Sequence, residues 1–196
     1  MEADRERLLS ELRAAGVEDE RVLAAVRAVP RPAFVGEERR EEAWSNRPLP
    51  IGGGQTISQP LVVARMCVML DVHAGDRVLD VGTGSGYHAA LLAELGGEVI
   101  SVERDPALSA LAGRNLEAAG YGERVERRTL RQPEGAVNVA AAARGIPPAL
   151  EAQLAPGGRL VAPVGVRNQR LVLVRRDREG VLSRTRLDRV RFVPLV

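Results

Sequence analysis

Residues 77–103 read RVLDVGTGSGYHAALLAELGGEVISVE, and this stretch decides the fold. It begins with a short apolar run, interrupted by Asp80, that predicts a buried parallel strand. Three alternating glycines follow, and glycine lets the backbone turn sharply and lets a ligand approach bare amide groups. A helix predicted over residues 87–95 points its positive end at these glycines. The stretch therefore predicts a strand, a ligand-binding turn and a helix in succession.

A second strand, predicted over residues 98–102, ends at Glu103, whose carboxylate can accept both ribose hydroxyls of a nucleoside. The glycine spacing then distinguishes two ligands. A dinucleotide fingerprint needs G-x-G-x-x-G, but Tyr87 stands at the third glycine position and Gly86 comes one place too early. The pattern Asp-x-Gly-x-Gly-x-Gly instead resembles the first motif of S-adenosylmethionine-dependent methyltransferases. A purely structural turn also uses glycine, but the acidic residue after a complete βαβ unit favours nucleoside binding.

The composition is that of one ordinary globular domain, with 196 residues of which 45% are hydrophobic and 28% charged. No apolar run approaches membrane-spanning length and the N-terminus is charged, so we expect a soluble, cytoplasmic enzyme. All 28 basic residues are arginine, and the net charge is only +2. This balance offers no case for nucleic-acid binding, and the arginines near the C-terminus, interleaved with acids, indicate a solvated strand face.

The cysteine and histidine content limits the chemistry further. Cys67 is the only cysteine, which excludes an internal disulfide, and its apolar neighbours indicate a buried thiol. With two histidines in the chain, a histidine-rich metal site is excluded and no metal is expected.

The segments before the glycine turn predict helices and one unusual loop. Apolar residues at helical spacing predict two amphipathic helices before Pro30 and a helical turn over residues 37–43. Residues 46–60, NRPLPIGGGQTISQP, contain three glycines and three prolines, which predict an irregular but constrained loop. On residue type alone, Ser58 is the N-cap of an apolar helix that runs through Leu70.

After Glu103 the pattern predicts a further βα unit and then mostly strands. Asp105 is expected to cap a helix that ends at Gly120. Val137 and Val139 suggest a short fourth strand, although the alanines nearby could equally begin a helix. Later strands are predicted after an APGG turn at 155–158 and at residues 169–174, 181–187 and 191–195.

Several segments, in collinear order, resemble the protein-L-isoaspartate O-methyltransferase family. They are VPRPAFV at 29–35, RPLPIGGGQTISQP at 47–60, RVLDVGTGSGYHAALLAEL at 77–95 and RFVPLV at 191–196. The likeness covers nearly the whole chain. It implies S-adenosylmethionine as cofactor and isoaspartyl peptides and proteins as partners. The implied reaction is methyl transfer to the free α-carboxylate of the isoaspartyl residue, a step of protein repair.

The resemblance also implies roles for particular residues. Ser58 is expected to be the active-site residue, and the terminal FVPL segment is expected to form part of the peptide-binding surface. The residues expected to bind the cofactor are Gln55, Thr56, Ile57, Asp80, Gly82, Thr83, Gly84, Ser85, Gly86 and Glu103.

The residue types fit a reaction that needs no base and no metal. A carboxylate with a pKa of about 4 is already ionised at neutral pH, so holding it in line with a methyl donor is enough. The hydroxyls of Ser58 and Thr56 can do this positioning. His88 is therefore interpreted as a packing or solvent residue, and His73 as a surface residue.

One segment departs from the family. Where the family has a third strand that ends in Gly-Asp-Gly and an aromatic-Asp pair, residues 124–135 read RVERRTLRQPEG. The missing acidic acceptor for the adenine amine predicts a cofactor affinity weaker by roughly one to two decades. Two alternatives therefore stay open: a methyltransferase that acts on another carboxylate, and a degenerate paralogue that binds protein without catalysis.

The predicted fold class is α/β, a doubly wound, mostly parallel sheet of the S-adenosylmethionine-dependent methyltransferase type with an N-terminal helical cap. Residues 1–196 are expected to form a single methyltransferase domain. Within it, residues 1–70 supply the helical cap and the substrate and cofactor loop. Residues 71–196 supply the nucleoside-binding sheet and the C-terminal strands. The ligand is expected at the carboxyl ends of the strands, where the strand order reverses.

Overall fold

The computed structural model describes residues 2–126 and 134–195. Its helices are α1 (Glu2–Ala14), α2 (Glu20–Ala28), α3 (Pro60–Leu70), α4 (Tyr87–Glu94), α5 (Pro106–Ala118) and α6 (Pro148–Ala152), with short 3₁₀ helices at Arg31–Phe34 and Glu37–Glu42. Its strands are β1 (Leu49–Gly52), β2 (Gln55–Ile57), β3 (Arg77–Val81), β4 (Glu98–Val102), β5 (Val125–Glu126), β6 (Glu134–Val139), β7 (Leu154–Val164), β8 (Arg170–Arg176) and β9 (Leu182–Arg189).

Seven strands form one sheet in the order β5-β4-β3-β6-β7-β8-β9, and β1 pairs with β2 in a separate hairpin. The pairs from β5 to β7 are parallel, whereas β8 and β9 add on antiparallel. The strand order reverses between β3 and β6, because the chain first places β4 and β5 on one side of β3 and then returns to place β6 and β7 on its other side. The sheet is doubly wound as predicted, and such a reversal is where α/β sheets bind ligands.

Each face of the sheet has its own apolar core, since alternate residues of a strand point to opposite faces. In β3, Val78 belongs to the larger core and Leu79 to the smaller one. In β8, Leu173 and Val174 divide in the same way. The larger core also contains residues from α1, α2, α3 and α4, so the predicted helical cap packs on that face. In the part of the chain that the structure describes, no helix is long and apolar enough to cross a membrane.

The structure confirms most predicted elements and corrects others. Asp105 caps α5, its carboxylate accepting from the amides of Ala107 and Leu108 at 2.8 and 3.3 Å. Residues 155–158 are not a separate turn, because β7 runs through them with an irregular register against β6. The tail over residues 191–195 is not a strand, since only Pro194 forms a bridge, to Ala142.

The predicted irregular loop over residues 46–60 was wrong, because its centre is the hairpin of β1 and β2. Leu49 pairs with Ile57, and both side chains are buried in the larger core, which fixes the register of the hairpin. Ser58 is not a helix cap either. The N-cap of α3 is Gln59, and Asn46 supplies the missing acceptor, its side-chain oxygen 3.1 Å from the amide of Leu61.

Candidate active site

A cavity of about 960 Å³ opens at the carboxyl ends of β3, β4 and β6. Its walls come from the glycine turn, the end of β4, the hairpin, the residues after β6 and the C-terminal tail. The cavity therefore lies where the strand order reverses, as the sequence predicted.

The glycines of the turn have two different functions. Gly84 has φ +56° and lines the cavity, and a Cβ on it would lie 3.6 Å from the Ile51 side chain of the hairpin. Gly86 has φ +92°, but a Cβ on it would meet Leu116 of α5 at 3.0 Å. This glycine lets α5 approach the turn and does not line the cavity, and its predicted cofactor contact stays a prediction.

Glu103 fixes the shape of the glycine turn and also lines the cavity. One carboxylate oxygen accepts from the amide of Gly84 at 2.9 Å, and the other accepts from the amide of Asp105 at 3.0 Å. A carboxylate carries about four lone-pair sites, so two amide bonds leave capacity for further donors on the cavity side. The side chain is half-buried and can present that capacity to a ligand.

A buried chain of polar groups supports the turn from below. The Ser101 hydroxyl donates to Asp80 at 2.7 Å, so the Thr83 hydroxyl, 2.6 Å from Ser101, must donate to it. The Asn138 amide donates to the other oxygen of Asp80 at 2.6 Å. Asp80 is completely buried and does not line the cavity, so it supports the glycine turn from below, and its contact with the cofactor stays a prediction. Burial raises the pKa of Asp80, and the hydrogen bonds from Ser101 and Asn138 oppose this rise.

His88 extends this chain to the cavity wall. The Asn138 amide nitrogen also lies 3.1 Å from His88 Nδ1, which must therefore accept, leaving the proton on Nε2. That Nε2–H faces the sulfur of Cys67 at 3.5 Å. Burial lowers the pKa of His88 to about 3, so the ring is neutral at pH 7. These positions agree with the interpretation of His88 as a packing residue and of Cys67 as a buried thiol.

The buried neutral ring makes stability depend on pH. The pKa of His88 lies below its ordinary value of 6.5, so under acidic conditions the unfolded chain binds a proton that the folded protein does not. The contribution of the neutral His88 ring to stability is fully present above pH 6.5 and is lost as the pH falls toward about 3. We expect the free energy of unfolding, measured by urea titration, to fall by about 1.4 kcal/mol per pH unit from this group.

The His88→Gln variant should lose that slope, and His73→Gln is its matched control because His73 is exposed. The raised pKa of Asp80 acts with the opposite sign above pH 3.8, within the same pH range, so the comparison of slopes between variants isolates the histidine. Equal slopes in wild type and His88→Gln would refute the assignment.

The hairpin carries the candidate active-site serine to the other side of the cavity. Gln55, Thr56, Ile57 and Ser58 all line it, with Thr56 exposed and Ser58 half-buried. Within residues 2–126 and 134–195 the Ser58 hydroxyl has no hydrogen-bond partner, so it is free to donate to a ligand.

Arg31 fixes the backbone around Ser58 through hydrogen bonds. It is completely buried, and its guanidinium donates to the carbonyls of Ala43, Ser45 and Arg47 and, at 3.1 Å, of Ser58. It also lies 5.7 Å from the centre of the Tyr87 ring. Burial lowers the pKa of Arg31 to about 10, which leaves it charged at neutral pH.

Most of the predicted site residues meet in this cavity. Those that line it are Gln55, Thr56, Ile57, Ser58, Gly82, Thr83, Gly84, Ser85 and Glu103. Sequence reasoning did not find Ala140 and Ala141, which face Gly82, nor Asn138. A polar Asn138 within the otherwise apolar run over residues 136–142 was the available signal. The predicted loss of adenine affinity rests on residues 124–135, of which 127–133 lie outside the described residues.

The doubly wound sheet and the cavity at its strand-order reversal are those of a nucleoside-binding α/β enzyme. The glycine spacing, with Gly86 one residue earlier than a dinucleotide fingerprint requires, is typical of S-adenosylmethionine-dependent methyltransferases. The family model "Protein-L-isoaspartate(D-aspartate) O-methyltransferase" matches residues 3–196. The chain belongs to the protein-L-isoaspartate O-methyltransferase family.

Individual relatives agree with this assignment. The protein-L-isoaspartate O-methyltransferase of Koribacter versatilis is 45% identical over 201 residues, covering 98% of this chain and 90% of the relative. That of Methanoculleus marisnigri is 46% identical, covering 100% and 95%. A Plasmodium falciparum protein described as belonging to this family, solved with S-adenosyl-L-homocysteine, superposes with a TM-score of 0.86 at 24% identity over 98% of both chains, which supports the fold.

Proposed function

We propose that this protein transfers a methyl group from S-adenosylmethionine to the free α-carboxylate of isoaspartyl residues in damaged proteins. The observation that carries the proposal is the position of Ser58, whose unpartnered hydroxyl shares one cavity with Glu103 and the glycine turn. The cavity suits the cofactor, because Glu103 keeps acceptor capacity and Gly84 lines the cavity without a side chain. The cytoplasm is proposed as the location.

The residues of the chain would act by binding, orienting and excluding water. Glu103 and the glycine turn would hold the nucleoside, and S-adenosylmethionine, when bound, supplies the transferable methyl group of its sulfonium. Ser58, and Thr56 beside it, would donate to one oxygen of the substrate carboxylate and leave the other oxygen free to react. No base is required, since the carboxylate is ionised at neutral pH. The neutral, buried His88 accords with this, because its accepting nitrogen is already engaged by Asn138.

The proposal is tested by radiolabelled methyl transfer to a peptide that contains isoaspartate and to its aspartyl twin. We expect methylation of the isoaspartyl peptide only. Equal methylation of both would favour an enzyme for another carboxylate. Cofactor binding with no transfer to either would favour the degenerate paralogue.

Ser58→Ala tests the proposed role of the hydroxyl. We expect kcat to fall by roughly 10- to 100-fold, because the acceptor carboxylate loses its orientation. Cofactor affinity, measured by calorimetric titration, and the melting temperature should change little, since Ser58 does not cap α3.

Ser10→Ala on the exposed face of α1 is the matched serine control. A wild-type kcat per folded molecule in Ser58→Ala would remove Ser58 from the mechanism.

A further inference from the structure

A second groove, of about 360 Å³, adjoins the cavity. The cavity and the groove share Thr56, Ser58, Ala140 and Val193. A substrate polypeptide bound at Ser58 can therefore continue directly into the groove. The far wall of the groove is formed by residues 189–193, of which Arg189 is the last residue of β9 and the others belong to no strand.

The groove carries an unneutralised positive charge. Arg189 and Arg191 both line it and are both exposed, and none of the acidic side chains that the structure describes lines it. Within the described ranges, neither guanidinium has an ion pair or a hydrogen bond. Two neighbouring charges are paired: Asp188 binds Arg65 at 2.7 Å, and Arg184 binds Glu151 at 2.7 Å.

The two free guanidiniums suit carboxylates, which arginine binds with two parallel hydrogen bonds. The carboxylate that reacts is taken up at Ser58, so a carboxylate in the groove must come from a neighbouring residue of the same polypeptide. We propose that Arg189 and Arg191 select isoaspartyl substrates whose flanking residues are acidic. The inference rests on the proposed function and adds the class of substrate sequence that the site prefers.

The position of this charge determines which kinetic constant changes. Exposed ion pairs are individually weak and are screened by salt, so the preference should be moderate and should decrease at high ionic strength. The arginines lie beside the reacting group and not at it. Flanking charge should therefore change KM and leave kcat nearly unaltered, as expected for contacts that are equal in the ground state and the transition state.

The test uses three isoaspartyl peptides that are identical except for two flanking residues, which are glutamate, glutamine or lysine. At low salt we expect kcat/KM to decrease in that order, with roughly a 10- to 30-fold ratio between the glutamate and lysine peptides. In the double variant Arg189→Gln/Arg191→Gln the ratio should fall to near unity. Arg186→Gln, an exposed arginine of β9 outside the groove, is the matched control and should keep the ratio.

The outcomes separate the two levels of the proposal. Methylation of all three peptides with equal kcat/KM would overturn the charge selection and leave the function intact. A glutamate preference that survives in the double variant would also overturn it, because other residues would then select the charge. If no peptide is methylated the function fails, and the affinity of the three peptides in a direct titration decides the charge selection by itself.

Discussion

Replacing Arg31 with methionine is expected to lower the free energy of unfolding by about 3–5 kcal/mol, because the buried carbonyl of Ala43 and three partly buried carbonyls lose their donor, and a fully buried group left without a partner costs about 1–3 kcal/mol. The guanidinium connects the segment after the second 3₁₀ helix to the backbone of Ser58. Methionine fills a similar volume but donates no hydrogen bond. Arg31→Lys should recover only part of the loss, since a single ammonium cannot match the planar fork of donors.

Urea titration of the cofactor-free protein measures this effect. Arg40→Met is the matched control, because Arg40 is exposed and pairs only with Glu37 at 3.6 Å, and its replacement should stay within about 0.5 kcal/mol of wild type. An Arg31→Met midpoint equal to that of wild type would show that the carbonyls find other partners.

The second large effect is expected at the glycine turn. Gly84→Val should weaken S-adenosylmethionine binding by about two decades or more, because the side chain enters the cavity at a φ of +56° that a β-branched residue rarely adopts. Gly180→Val is the matched control, since Gly180 also has a positive φ, +90°, but lies away from the cavity with open space around it. Calorimetric titration of both variants would refute the cofactor assignment if the affinities were equal.

Glu103→Ala tests the same site at the end of β4, where the carboxylate contacts the glycine turn. It removes the proposed ribose acceptor and also releases the amides of Gly84 and Asp105. Loss of charge-assisted hydrogen bonds corresponds to about 1.5–3 kcal/mol, or a 10- to 150-fold weaker cofactor affinity. Glu98→Ala, at the exposed beginning of the same strand, should bind the cofactor as wild type does. A normal affinity in Glu103→Ala would exclude the ribose contact.

Local sequence patterns predicted the βαβ unit well, because apolar runs, glycines and Glu103 lie close together in the chain. They did not find the contacts that distant residues make. Asn138, far along the chain, donates to Asp80, and Leu116 packs against Gly86. Such contacts have no local signature.

The hairpin was missed for a different reason. Its glycines and prolines suggested a loop, and only the pairing of two buried apolar residues, Leu49 and Ile57, shows that the segment is β structure. Arg31 appeared in a recognised motif, but nothing in its neighbourhood indicated that an arginine would be completely buried.

Cys67 lies where its reactivity can report motion inside the protein. It is the only thiol in the chain, is 1% exposed, and is covered by the ring of His88 from the neighbouring helix. Burial also raises the pKa of the Cys67 thiol. While α3 and α4 stay packed together, an alkylating reagent cannot reach the sulfur, and the sulfur is not in the reactive thiolate form. The rate of alkylation therefore reports the free energy needed to separate these two helices, without any label or engineered residue. Measuring the alkylation rate with and without a ligand in the adjoining cavity would show whether ligand binding changes the packing of α3 against α4.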